Sequence, residues 1–205
     1  MPSACSDRPR RQPGRRWLAL GAVAAIAASQ APRPSPANLA ATWGRGSFPV
    51  ASFMGFTSPF GWRVHPLSGG LRPHEGLDIA APLGSPVRNW WGGILVEVLR
   101  DSGCGNGLLI RSGAYEHLYC HLGGQVEGST YRSGSVVLRV GQGLRTGQTI
   151  GHVGLSGSTT GPHLHWGLRY GDRWLDPAAV LRAMAADRRR QQTSWRGAFN
   201  VRPTW

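Results

Sequence analysis

The sequence predicts a mainly β fold, an antiparallel sheet domain closed by one C-terminal helix. Three observations carry this. Thirty of the 205 residues are glycine. Between residues 53 and 177 short apolar runs alternate with glycine-rich turns, and no segment there has helical periodicity. The one convincing helical pattern, "DPAAVLRAMAADRRRQQ", begins at Asp176.

The strand candidates follow one another as "GGILVEVL", "GLLIR", "YEHLYCHL", "SGSVVLRV", "QTIGHVG" and "LHWGLRY". Each is four to eight residues of apolar and β-branched character bounded by Gly or Ser, the pattern of strands joined by tight turns. In the helix, Asp176 suits the N-cap, Pro177 the first helical position, and Ala, Leu and Met supply the buried face. The following "TSWRGAFNVRPTW" reads as a loose end.

Charge divides the chain into parts. The net charge is +13, and all 23 basic residues are arginine. Residues 1–45 carry +6, residues 46–182 carry +3 and residues 183–205 carry +4. A near-neutral domain is thus flanked by basic ends that suit any polyanion, a membrane surface or a wall polymer included. No helix-turn-helix, zinc-finger or RNA-binding signature accompanies the charge, so nucleic acid is not expected as a partner.

The N-terminus has an Arg-rich stretch, an apolar run over residues 17–28 and small residues at Ala27, Ser29 and Ala31. That is the plan of an export signal, with an uncleaved anchor as the alternative; "GRRWLAL" also resembles a twin-arginine signal. We divide the chain into a signal or anchor (1–31), a Pro-rich linker (32–45), a domain (46–182) and a basic tail (183–205). Export would place the domain in an oxidising compartment, where Cys104 and Cys120 can form a disulfide or remain two partly buried thiols.

Chemistry concentrates in two motifs. In "GPHLHWGL", His163 and His165 are two apart on a strand and share one face. In "RPHEGLDIAAPLG", His74 and Asp78 lie on a loop running into a strand, since Pro73 and Gly76 oppose a helix. Alone, an H-x-H is compatible with two ordinary surface histidines. With a histidine and a carboxylate elsewhere, it supplies the N and O ligands that zinc accepts, with an open position for water. Between the motifs, alternation in "AYEHLYCHL" puts Tyr115, His117, Tyr119 and His121 on one face and Cys120 on the other, so either histidine could reach such a site.

Taken in order, "FTSPFGWRVHPLSGGLRPHEGLDIAAPLGSPV", "YCHL", "LRTGQTIGHVG" and "GSTTGPHLHWGL" resemble the lysostaphin-type, or LytM-like, zinc endopeptidases that cut peptidoglycan peptides; the resemblance covers roughly residues 53–181. It implies a β fold with a substrate groove and one zinc ion held by His74, Asp78 and His165. It also implies catalytic roles for His163 and for the histidine of "YCHL", His121, with His117 in "YEHL" as rival. His163 would act as general base and His121 would steady the oxyanion.

Two departures stand out: an insertion over residues 123–142, expected as a hairpin at one end of the groove, and Cys104 in a loop usually built of small or polar residues. His65 and His152 read as structural, and Trp62, Trp90, Trp91 and Trp166 as core or groove wall.

The expected function is hydrolysis of peptidoglycan cross-links by a monomer. D-alanyl-diaminopimelate bonds are favoured over glycine bridges because the sequence shows no separate wall-targeting module. The alternative is a non-catalytic LytM-like protein that binds the wall or activates another hydrolase. A third reading rests on the arginine-rich ends alone, as a polyanion binder. The basic tail could contact wall or lipid.

Overall fold

The computed structural model describes residues 43–67 and 69–198. The segment expected as a signal or anchor, and most of that expected as a linker, lie outside these residues. Among the described residues no helix is long and apolar enough to cross a membrane.

The described residues include fifteen short strands and a C-terminal helix. The strands are β1 (Gly55–Ser58), β2 (Gly61–Val64), β3 (Leu71–His74), β4 (Leu77–Ala80), β5 (Pro86–Arg88), β6 (Gly93–Asp101), β7 (Gly105–Ser112) and β8 (Tyr115–Cys120). They continue as β9 (Gln125–Glu127), β10 (Thr130–Ser133), β11 (Val136–Arg139), β12 (Gly143–Leu144), β13 (Thr149–His152), β14 (His163–Tyr170) and β15 (Arg173–Trp174). The main sheet runs β1-β4-β14-β8-β7-β6-β12, with β15 against β14, and every pairing is antiparallel. The mainly β, antiparallel class expected from the sequence is the fold observed.

Strand alternation decides which side chains build the core. On β14, Leu164, Trp166 and Leu168 are fully buried, while His163 and His165 between them face the other way. Trp166 stacks beside Trp90 at 5.8 Å between ring centroids. The helix α1 (Pro177–Ala198) lays Val180, Leu181 and Met184 onto this layer, and Trp90 Nε1 donates to the Met184 sulfur at 3.2 Å. Asp176 caps α1, accepting from Ala178 N at 2.9 Å.

The helix is longer than the sequence pattern indicated, running on to Ala198 into the segment expected as a loose end. Within it, the Arg188 guanidinium donates to the carbonyls of Gly44 and Gly46, fastening the helix to the segment entering the domain. Part of the basic end is therefore spent on packing.

The insertion also differs from expectation. It is a three-stranded sheet, β11-β10-β9, rather than a hairpin, and none of its residues lines the groove described below. Tyr131, Val126 and Leu138 bury its inner face, and Tyr131 donates to the Gly123 carbonyl at 2.7 Å. Apolar residues on alternate positions turned this segment against the body of the fold, so it extends the core instead of walling the groove. Trp62 likewise departs from its expected place, being 71% exposed on β2, whereas Trp90 and Trp166 are core.

Candidate metal centre and groove

Pairing of β4 with β14 makes His165 the cross-strand partner of Asp78, and His163 that of Ala80. The hairpin of β2 and β3 then delivers His74 to the same point. His74 Nε2, Asp78 Oδ1 and His165 Nδ1 form a triangle with sides of 2.9, 3.0 and 3.1 Å. Gly76, in the turn between β3 and β4, lets this happen: a Cβ there would sit 2.5 and 2.6 Å from ring atoms of His165.

The donor set fits a divalent metal. His74 Nδ1 lies 2.7 Å from the Pro59 carbonyl, which can only accept, so Nδ1 carries a proton and Nε2 is the atom left to ligate. Nε2 and the Asp78 carboxylate oxygen stand 3.1 Å apart, a nitrogen and an oxygen ligand that one cation could share. Burial works to raise the Asp78 pKa, but its contacts with His165 and His74 outweigh it and hold the carboxyl well below the usual range. Two nitrogens and one oxygen, nearly in contact, leave one side open, as a catalytic site requires.

Two more imidazoles face the triangle. His163 Nδ1 donates to the Gly161 carbonyl at 2.8 Å, and its Nε2 lies 3.7 Å from Asp78 Oδ1. His121 Nδ1 donates to the Ser156 carbonyl at 2.9 Å, and its ring centroid is 4.7 Å from that of His163. Both rings therefore carry the proton on Nδ1 and turn Nε2 lone pairs inward when neutral. Burial holds the His121 imidazole down to about 4.

Alternation had placed His121 with His117, and the structure separates them. Strand β8 ends at Cys120, and His121 takes a left-handed backbone with φ of 62°, unusual for a residue bearing a side chain. This turn swings His121 onto the groove side with Cys120. His117 stays fully buried on the core side, between Ser112 Oγ at 2.8 Å and the Tyr119 hydroxyl at 2.9 Å.

Several contacts maintain the turn at His121. Its N–H donates to the Cys104 carbonyl at 2.8 Å, and its carbonyl accepts from Gly154 N at 2.9 Å. Cys104 and Cys120 are disulfide-bonded across a Cα separation of 4.8 Å. Behind them, Gly105 and Gly157 bring two loops together so closely that a Cβ on either would fall within 2.4 Å of the other loop's backbone.

The triangle and both histidines line a groove of about 350 Å³. Its walls include Arg63 and His65 from the hairpin of β2 and β3, and Thr159 and Thr160 from the loop before β14. His65, read from the sequence as structural, is thus a wall residue; His152 is not, and bonds Ser133 Oγ at 2.9 Å. Arg63 was not singled out by sequence. It lies 3.6 Å from Asp78 Oδ2, and only its place in the hairpin register reveals this.

The sequence profile of peptidase family M23 matches residues 72–177. Over 127 residues the chain is 39% identical to the DD-carboxypeptidase/endopeptidase Mpg of Neisseria meningitidis, covering 60% of this chain and 26% of that protein. It is 33% identical over 126 residues to the peptidoglycan DD-endopeptidase ShyB of Vibrio cholerae, covering 61% and 26%. The chain thus spans about a quarter of the length of these curated relatives. Among solved structures, a zinc containing peptidase from Vibrio cholerae superposes with a TM-score of 0.52 at 32% identity, covering 67% of this chain and 38% of the other. The catalytic domain of lysostaphin from Staphylococcus simulans gives 0.51 at 27%, covering 62% and 92%.

Sheet, groove and histidine-aspartate cluster together define a LytM-like domain of the lysostaphin type. The chain belongs to peptidase family M23.

Proposed function

We propose that this protein is a zinc-dependent endopeptidase that hydrolyses peptide cross-links of bacterial peptidoglycan in the cell envelope, acting as a monomer on D-alanyl-diaminopimelate bonds. The observation that carries the proposal is the convergence of three ligand atoms within 3.1 Å of one another with two further imidazoles turned toward them. The names of the Neisseria and Vibrio relatives support the substrate class and the D,D character of the bond.

His74, Asp78 and His165 would hold the zinc ion. When bound, zinc supplies a Lewis acid and brings the pKa of water from 15.7 to about 7. Everything else falls to the chain's own groups. His163 Nε2 takes the proton of the attacking water as that water adds to the amide carbonyl. As the C–N bond breaks, His163 returns the proton to the leaving nitrogen. His121 stands on the other side of the reacting carbon. Because its Nδ1–H is committed to Ser156, neutral His121 orients the water through its Nε2 lone pair, and it can donate to the oxyanion only as an imidazolium. The disulfide and the left-handed turn would keep this ring in place against the groove.

The test is digestion of purified peptidoglycan by the zinc-loaded protein and by a His163→Ala variant, with released peptides read by mass spectrometry. The proposal expects D-alanyl-diaminopimelate fragments from the first and a loss of at least about a hundredfold in rate from the second. Zinc binding without release from any wall type would favour a wall-binding or activating role instead.

A further inference from the structure

Arg63 lies beside the metal triangle without a structural task that explains it. Its Nη2 is 3.6 Å from Asp78 Oδ2, the oxygen that takes no part in the triangle. A charge-assisted N–H···O bond is about 2.7–2.9 Å, so at 3.6 Å the two groups form a loose ion pair that does not commit the Arg63 donors. Its Nε is buried and has no acceptor. The side chain is only 21% exposed. Burying a guanidinium nitrogen without an acceptor is costly. The hairpin offers no compensation, because the residue directly across from Arg63 is Arg72, a like charge.

We infer that Arg63 is a specificity residue that reads a free carboxylate of the substrate on the carbon attached to the scissile nitrogen. This rests on the proposed peptidoglycan reading and sharpens it. The planar guanidinium presents parallel donors that match a carboxylate bidentately, and Arg63 lines the same groove as His163 and His165. Its place beside Asp78 puts it next to the bond to be cut. A D-alanyl-D-alanine terminus and a D-alanyl-diaminopimelate cross-link both carry such a carboxylate. A glycine-glycine bridge has a further amide there instead. Arg63 would therefore select for D,D bonds through the leaving-group side and bind both kinds of D,D substrate alike.

The experiment uses the zinc-loaded full chain with His163→Ala, so that a probe is bound and not cut. Calorimetric titration compares an acetylated tripeptide ending in D-alanyl-D-alanine as the acid and as the C-terminal amide. The acid is expected to bind about tenfold or more tightly, the scale of a hydrogen bond to a charged group. Adding Arg63→Gln should abolish this preference while zinc content stays at the parent's level. Arg63→Lys, which keeps the charge near Asp78 without the fork, should retain only part of it.

An equal affinity for acid and amide in the parent would overturn the inference. So would a preference that survives Arg63→Gln, which would assign it to the metal. Loss of zinc in both Arg63 variants, in step with loss of probe binding, would make Arg63 a brace for Asp78 and overturn it as well. Failure of the wall reading looks different: the native chain releases nothing from peptidoglycan, yet the Arg63-dependent preference for the acid stands.

Discussion

Replacing Gly76 by Ala tests whether the β3–β4 turn sets the position of His165. The new Cβ would lie 2.5 Å from His165 Cε1, 2.6 Å from Nε2 and 3.0 Å from the Trp166 carbonyl. Ordinary carbon contacts begin near 3.5 Å, so the ring must retreat by about 1 Å. Metal–ligand distances tolerate about 0.2 Å. The Trp166 backbone sits in the middle of the sheet and cannot move to share the displacement. Changes that merely misorient a ligand cost about 10–100-fold in metal affinity, and this one should reach at least that range. Overpacking costs about 1–3 kcal/mol, partly offset by about 0.4–1 kcal/mol from restricting the unfolded chain, so the protein should still fold. Zinc affinity is measured by competition with a chelator, alongside thermal unfolding. Gly143→Ala is the control, because nothing lies within 4 Å of a Cβ at that position. A folded Gly76→Ala protein that binds zinc within twofold of the parent would refute the reasoning.

Three other outcomes follow from the same structure. Removing the Cys104–Cys120 bridge by a double Cys→Ala change frees a loop of sequence separation 16 and should lower stability by about 3 kcal/mol; an unchanged denaturant midpoint would contradict this. Burial holds the His117 imidazole down to about 3 from an ordinary 6.5. The unfolded chain therefore takes up a proton that the folded one refuses, and stability present above pH 6.5 drains away as pH falls toward 3. The loss is about 2–3 kcal/mol by pH 4.5, and urea unfolding of the metal-free protein should show it, with His117→Gln giving a shallower pH dependence. Tyr131→Phe leaves the Gly123 carbonyl without its donor and should cost about 1–2 kcal/mol. Because Tyr131 lies off the groove, kcat/KM on peptidoglycan fragments should stay within about twofold, and a larger fall would return the inserted sheet to the substrate path.

Much of this was legible in the sequence because strand alternation is a strong signal where one face is core. His163 and His165 share the groove face because Leu164, Trp166 and Leu168 must share the other. The helix start was legible in Asp176 and Pro177, which act through local geometry. Its end was not, since no glycine or proline stops the pattern between Gln192 and Arg196 and the helix runs on to Ala198. Alternation misled at His121 because one left-handed residue reverses the face, and nothing in "YCHL" marks which residue takes that conformation. The insertion read correctly as strands, but which surface its apolar residues cover depends on β13 and β6, not on its own pattern. Arg63 was invisible for a similar reason. Its significance arises from a register that puts β2 beside β3 and from the carboxylate that β4 brings near.

On the proposed reading, His74, Asp78 and His165 hold one zinc ion that serves peptide hydrolysis. The most direct measurement is a paired determination of bound zinc and peptidoglycan cleavage on one preparation, before chelation, after it, and after zinc is returned. The account predicts about one zinc per chain, loss of cleavage with the metal and recovery on its return. His165→Ala should lack both metal and activity. Cleavage that persists in the chelated protein, or full zinc content in His165→Ala, would contradict it.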